Sequence, residues 1–69
     1  MKVKMGMLPG KIKEVVLPEG QEKLSEALLV GGIKSTTGYE VRVNGKVVKD
    51  GFVLKEGDNV VLAKKIKGN

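Results

Sequence analysis

The fold is decided by the last part of the chain, from Tyr39 to Asn69, which reads YEVRVNGKVVKDGFVLKEGDNVVLAKKIKGN. Its Asn44-Gly45 pair, between two runs rich in valine, is a strong signal for a two-residue hairpin turn. Phe52 to Leu54 are expected to plug the bottom of the core, and Glu56-Gly57-Asp58 predicts a second reversal. The continuously apolar run from Val60 to Ala63 is typical of a strand at the centre of a sheet.

The first eighteen residues predict another hairpin. From Lys2 to Met7, apolar residues alternate with lysines and a glycine, which is the pattern of a half-buried strand. Pro9 and Gly10 suit the two central positions of a turn in which the glycine takes a positive φ. Ile12 to Leu17 is the predicted partner strand, and it ends at Pro18, which has no N–H to donate to a ladder.

The spacing of apolar residues predicts one helix, from Glu19 to about Val30. Its apolar positions recur at i, i+3, i+4 and i+7, and they are Leu24, Ala27, Leu28 and Gly31. Acidic residues in its first turns favour the positive end of the helix dipole, and Gly31-Gly32 predicts its end. Together these elements predict an α+β fold, a mixed five-stranded sheet packed on one helix.

Length and composition limit what the chain can do. Its 69 residues predict a single domain, residues 1–69, of which 65–69 form a tail. Cysteine and histidine are absent, which removes the usual thiolate nucleophile, the imidazole base and the common transition-metal ligands. We therefore predict no catalytic residue, no metal and no cofactor.

Three other polar residues invite a catalytic interpretation. Asp50 and Asp58 each stand beside a glycine at a predicted turn, where aspartate usually caps backbone N–H groups. Ser25 lies in the predicted helix and has no histidine to activate it. We interpret all three as structural.

The chain carries no pattern of membrane insertion or export. No apolar run approaches the roughly 18–20 residues that a spanning helix needs, and the first residues lack the apolar region of a secretory signal. The absence of cysteine is compatible with a reducing compartment. We predict a cytoplasmic protein without a membrane partner.

Thirteen basic residues against eight acidic ones give a net charge of +5. Some of them predict a phosphate-binding patch, namely Lys2, Lys4, Arg42, Lys64 and Lys65. The alternative, which we favour, is that these are ordinary solvated basic residues, which also protect sheet edges from pairing. Because the only aromatic residues are Tyr39 and Phe52, any binding of nucleic acid would be weak, electrostatic and poorly sequence-specific.

The last strand raises a question about the outer side of the sheet. Because side chains alternate, either Val60 and Leu62 or Val61 and Ala63 must face away from the helix. We take Val61 and Ala63 as part of a partner surface, together with the basic residues above. An exposed apolar patch with a polar rim is a candidate interface, and self-association or incidental exposure is the alternative.

Three segments carry a resemblance to known families. Val43 to Val48 (VNGKVV), Val53-Leu54 and Glu56 to Val60 (EGDNV) resemble the VNG…V…L…GD-x-V pattern of ThiS and MoaD sulfur carriers and of TGS domains. Leu17 to Gly20 (LPEG), followed by Leu24, is similar to their passage from strand to helix. The resemblance implies the β-grasp fold of the ubiquitin superfamily, with the first and last strands parallel in the middle of the sheet.

The resemblance also implies a chemistry that the C-terminal residues do not match. In sulfur carriers, ATP adenylates a terminal Gly-Gly carboxylate, which a partner enzyme converts to a thiocarboxylate. Here Lys67, Gly68 and Asn69 stand in that place. We therefore favour a non-enzymatic, ubiquitin-like protein-binding module. The alternatives are a thiocarboxylate carrier, whose partner is an adenylating enzyme, and a TGS-like nucleic-acid or regulatory module.

Overall fold

The computed structural model describes residues 1–66, in which five strands and one helix follow one another. Their bounds are β1 (Lys2–Met7), β2 (Lys13–Val16), α1 (Leu24–Val30), β3 (Tyr39–Val43), β4 (Lys46–Val47) and β5 (Asn59–Lys64). This order confirms the predicted α+β class and the predicted sequence of elements. The tail residues Lys67, Gly68 and Asn69 lie outside the described residues.

All five strands join in one mixed sheet, in the order β2-β1-β5-β3-β4. The central pair, β1 and β5, is parallel, and every other neighbouring pair is antiparallel. In the central register Met5 lies beside Val60, and Val41 of β3 lies beside Leu62. The parallel placement of the first and last strands agrees with the expectation drawn from the resemblance.

The core lies between α1 and one face of the sheet. The helix contributes Leu24, Ala27 and Leu28, all buried. From β5, Val60 and Leu62 have no exposed surface, whereas Val61 and Ala63 are partly exposed. Alternation along β5 therefore directs Val61 and Ala63 away from the helix, which settles the two alternatives in favour of that pair.

The β3–β4 turn forms as predicted. Asn44 and Gly45 take positive φ values of 53° and 85°, as a type I′ turn requires. The Asn44 side chain also ties the hairpin to β5, because its Nδ2 donates to Asp58 Oδ1 at 2.9 Å and its Oδ1 accepts from the Asn59 N–H at 3.0 Å. Asp58 Oδ2 accepts from the Lys55 N–H at 2.8 Å, in keeping with its structural interpretation.

The helix begins at Leu24, so the predicted start at Glu19 is wrong. The segment before the helix is extended and lies against residues 52–54, where the Leu54 N–H donates to the Glu22 carbonyl at 2.8 Å. The Leu24 N–H donates to the Phe52 carbonyl at 2.7 Å. This backbone pairing, rather than a side-chain cap, satisfies the first helical N–H groups. Of the acidic residues predicted for the first turns of the helix, Glu26 is the one that lies in the first turn of α1.

Residues 52–54, which pair with the segment before the helix, contribute one buried residue to the core rather than the predicted three. Leu54 is buried, but Phe52 is 39% and Val53 56% exposed. The predicted plug of Phe52 to Leu54 is therefore wrong for the first two residues. Extended pairing with Lys23 leaves Val53 on the side away from the core.

The glycine pair ends the helix as predicted. Gly32 takes a φ of +86°, and its N–H donates to the Leu29 carbonyl at 3.0 Å. The Ile33 N–H donates to the Leu28 carbonyl at 2.8 Å, which completes a Schellman motif. Ile33 then packs against the core.

The first turn differs from its prediction. The Leu8–Pro9 peptide bond is cis, and Gly10 is not among the residues of positive φ. A Cβ on Gly10 would lie 2.5 Å from the Met7 carbonyl oxygen, so the close approach of the backbone, and not φ, calls for glycine here. The partner strand begins at Lys13 rather than Ile12.

Candidate functional site

The sheet has one face covered by α1 and an opposite face, which we call the outer face. Alternation along the strands and the strand register assign the side chains to each. The outer-face residues are Lys2, Lys4, Gly6, Glu14, Val16, Glu40, Arg42, Val47, Asn59, Val61 and Ala63. Apolar and charged residues are therefore mixed on this face.

Gly6 brings a further residue onto the outer face. A Cβ on Gly6 would lie 2.7 Å from the Lys11 carbonyl oxygen and 2.8 Å from the Ile12 Cα. The backbone at these two residues therefore crosses directly over Gly6, in space that any side chain would fill. Val61 is the register neighbour of Gly6 on β5, so Ile12 and Val61 come together at the centre of this face.

Ile12 and Val61 form the apolar part of an open groove of about 480 Å³. Ile12 is 47% exposed, so a large part of its side chain is available for contact. The remaining lining residues are polar or charged, and they are Lys4, Lys13, Glu14 and Asn59. The groove thus combines an apolar centre with a charged rim.

Carboxylates offset much of the positive charge on the outer face. Arg42 Nη2 lies 2.5 Å from Glu40 Oε2, and Arg42 Nε donates to the same oxygen at 2.6 Å. Lys4 lies directly opposite Glu14 across the β1–β2 pair. The face as a whole is therefore only modestly basic.

The structure brings together part of the predicted partner surface. Lys2, Lys4, Arg42, Val61 and Ala63 share the outer face. Lys64 does not, because alternation with Val60 and Leu62 places it on the side of the helix, where it is the register partner of Tyr39. Lys65 follows the end of β5, and its N–H donates to the Gly38 carbonyl at 3.0 Å. Lys67, Gly68 and Asn69 lie outside the described residues.

Three exposed apolar residues of the outer face were not predicted from the sequence, and they are Ile12, Val16 and Val47. Val16 is 62% exposed on β2. Ile12 looked like the first residue of a regular strand, and its displacement onto the outer face depends on Gly6. A glycine inside a strand pattern often marks the close approach of another backbone, and this was the available signal.

A second, smaller cavity of about 230 Å³ lies at the other side of the molecule, beside α1. Ser25 and Asp50 both line this cavity, and Leu28 and Ile33 form part of its apolar wall. The Asp50 carbonyl accepts from the Ser25 N–H at 3.2 Å. This backbone contact holds the helix start and does not involve the Asp50 carboxylate, so the structural interpretation of that side chain stays a prediction.

Comparison with known proteins adds no relative: neither a protein-family model nor a curated protein matches the chain. Among residues 1–66, no helix has the length and apolarity to cross a membrane. The same residues contain no group of three or more acidic side chains placed to hold a metal ion. The groove with its apolar centre and charged rim makes the outer face the candidate site.

Proposed function

We propose that the chain is a ubiquitin-like β-grasp module that binds a protein partner through its outer face. The observation that carries this proposal is that the exposed Ile12 and the partly exposed Val61 line one groove that has a charged rim. The β-grasp assignment is supported by the parallel β1–β5 pair at the sheet centre and by the single helix on one face of the described domain.

A protein fits this face better than a polyanion does. Interfaces between proteins combine an apolar centre with a polar rim, as the groove does. A phosphate-binding surface needs cations without matching anions, but here Glu40 pairs with Arg42 and Glu14 faces Lys4. Lys64 adds its charge to the opposite side of the sheet.

The absence of catalysis is part of the proposal. It rests on a chain without histidine or cysteine, and on an Asp58 carboxylate that two hydrogen bonds already occupy. The alternative role as a thiocarboxylate carrier concerns Lys67 to Asn69, which lie outside the described residues. The proposal therefore stands on the outer face alone.

The test compares two aliphatic residues on opposite sides of the molecule, the partly exposed Val61 and the exposed Leu29. Val61→Asp places a carboxylate in the groove, whereas Leu29→Asp places one on the exposed side of α1, where Leu29 is 64% exposed. Immobilised wild-type and variant proteins are compared for capture of partners from cell extract, quantified by mass spectrometry. Desolvating a carboxylate costs more than 1.4 kcal/mol, so we expect Val61→Asp to weaken capture at least about tenfold.

Three controls make the result decisive. Circular dichroism establishes whether both variants fold. If Val61→Asp does not fold, Ile12→Gln takes its place as the groove variant. Capture unaffected by either groove variant, or lost equally with Leu29→Asp, would refute the proposal. Capture that disappears after nuclease treatment would favour a nucleic-acid-binding function instead.

A further inference from the structure

The strand β2 has a free backbone edge. It lies at one end of the sheet, so its side away from β1 has no neighbouring strand among the described residues. Within the hairpin, the Leu17 N–H donates to the Met1 carbonyl at 2.7 Å, and the Met1 amine donates to the Leu17 carbonyl at 3.3 Å. Hydrogen-bonded pairs alternate with non-bonded pairs in an antiparallel ladder. Val15 and Lys13 are therefore bonded to β1, whereas Glu14 and Val16 direct their backbone groups outward.

The bonds of β1 on its other side lead to the same conclusion. Lys2 and Lys4 are the register partners of Val16 and Glu14. The Lys2 carbonyl accepts from the Gly57 N–H at 2.8 Å, and the Lys4 N–H donates to the Asp58 carbonyl at 2.9 Å. The backbone groups of these two lysines are thus directed towards β5. Nothing in β1 is left to bond Glu14 or Val16.

We propose that this edge pairs with β2 of a second copy of the chain, antiparallel about a two-fold axis beside Val15. In that register Glu14 lies opposite Val16 of the second copy, and Val16 lies opposite Glu14. Each such pair exchanges two N–H···O bonds, so four bonds use all the free backbone groups of these residues.

Neighbouring symmetric registers are less favourable for reasons that the sequence provides. An axis beside Glu14 places two carboxylates directly opposite each other, which is destabilising. An axis beside Val16 places Glu14 opposite Pro18, which has no N–H to return. The self-complementary register is therefore the one centred on Val15.

Length and exposure favour β2 over the other edge of the sheet. β4 has two residues, Lys46 and Val47, and therefore offers much less backbone for pairing. Val16 is 62% exposed and gains apolar contact in the paired sheet. A two-fold axis perpendicular to the sheet leaves both outer faces on the same side of a ten-stranded sheet. The proposed dimer thus presents two grooves side by side, and its existence does not depend on the function proposed for them.

Amide hydrogen exchange tests this pairing in the unmodified protein. Glu14 and Val16 amides should exchange at least about tenfold more slowly in concentrated than in dilute samples, because pairing protects them. Lys13 and Val15 amides are internal controls, because their bonds to β1 protect them at both concentrations. Equal exchange of Glu14 and Val16 at both concentrations would overturn the proposal, as would protection that appears only after another protein is added.

A proline substitution provides a second test by sedimentation equilibrium. Val16→Pro removes an N–H that points away from β1, a position where an edge strand accepts proline. We expect it to abolish the dimer, whereas Val16→Thr, which keeps the N–H and the branched side chain, retains it. Glu14→Pro replaces Val16→Pro if the latter does not fold. A wild-type protein that stays monomeric at all concentrations, or a dimer unaffected by the proline, would refute the pairing.

Discussion

The substitution Gly6→Ala probes the feature that builds the candidate site. A Cβ at this position would lie 2.7 Å from the Lys11 carbonyl oxygen and 2.8 Å from the Ile12 Cα. Both are backbone atoms, so no simple change of side-chain rotamer relieves the overlap. The segment at residues 11–12 has to move off the outer face, and Ile12 then loses its place beside Val61.

Overpacking of this kind costs about 1–3 kcal/mol. A domain of this length has a total free energy of unfolding of only about 4–10 kcal/mol, so the loss is a large part of it. The expected decrease in Tm is roughly 4–8 °C for each kcal/mol lost. Binding of a partner at the groove should weaken in addition, because one wall of its apolar centre is displaced.

Urea denaturation of wild type and variant gives the free energy of unfolding directly. Gly51→Ala is the matched control, because a Cβ there meets nothing within 4 Å and the residue has no positive φ. We expect this control to be neutral or up to about 1 kcal/mol more stable than wild type. If Gly6→Ala is as stable as Gly51→Ala and NMR still places Ile12 on the outer face, the account of the site is wrong.

Further substitutions test the contacts that hold the hairpin, the surface and the core. Asp58→Ala removes the acceptor of two hydrogen bonds and should lose about 1–3 kcal/mol in urea denaturation, while a loss below 0.5 would contradict the capping role. Asn44→Ala should unfold at lower urea than Asn44→Gly, because alanine also has to adopt the positive φ of the turn. Glu40→Gln breaks an exposed ion pair, so thermal denaturation should show a change below about 1 kcal/mol. Leu62→Ala, at a position with no exposed surface, should cost about 2–5 kcal/mol, and a native-like Tm would place Leu62 outside the core.

The parts of the fold that depend on local sequence were predictable. Asn44-Gly45 and Gly32 need backbone conformations that few residues adopt, so they marked a turn and a helix end reliably. The helix start at Leu24 was not predictable, because it depends on pairing between Glu22 and Leu54, thirty-two positions apart in the chain. Local periodicity does not contain such long-range pairing, and the acidic residues before Leu24 look like a first helical turn.

The candidate site was predictable in part for a similar reason. The run from Val60 to Ala63 is apolar throughout, so its composition did not reveal which side faces the core. Because Val60 and Leu62 are buried, alternation places Lys64 on the helix side of the sheet. The prediction grouped Lys64 with the outer-face residues by charge alone and was wrong for that reason. Ile12 joined the site through a backbone crossing at Gly6, for which the glycine was the only local sign.

The central position of β1 and β5 has a consequence for synthesis of the protein. Among the strands of residues 1–66, β1 is made before all the others, but its parallel neighbour β5 is made after them. Before β5 appears, no strand joins the β1–β2 hairpin to the β3–β4 hairpin, and a helix of seven residues is too short to persist alone. The five-stranded sheet therefore cannot be completed until translation has passed Lys64, and the nascent chain stays open to chaperones and proteases until then.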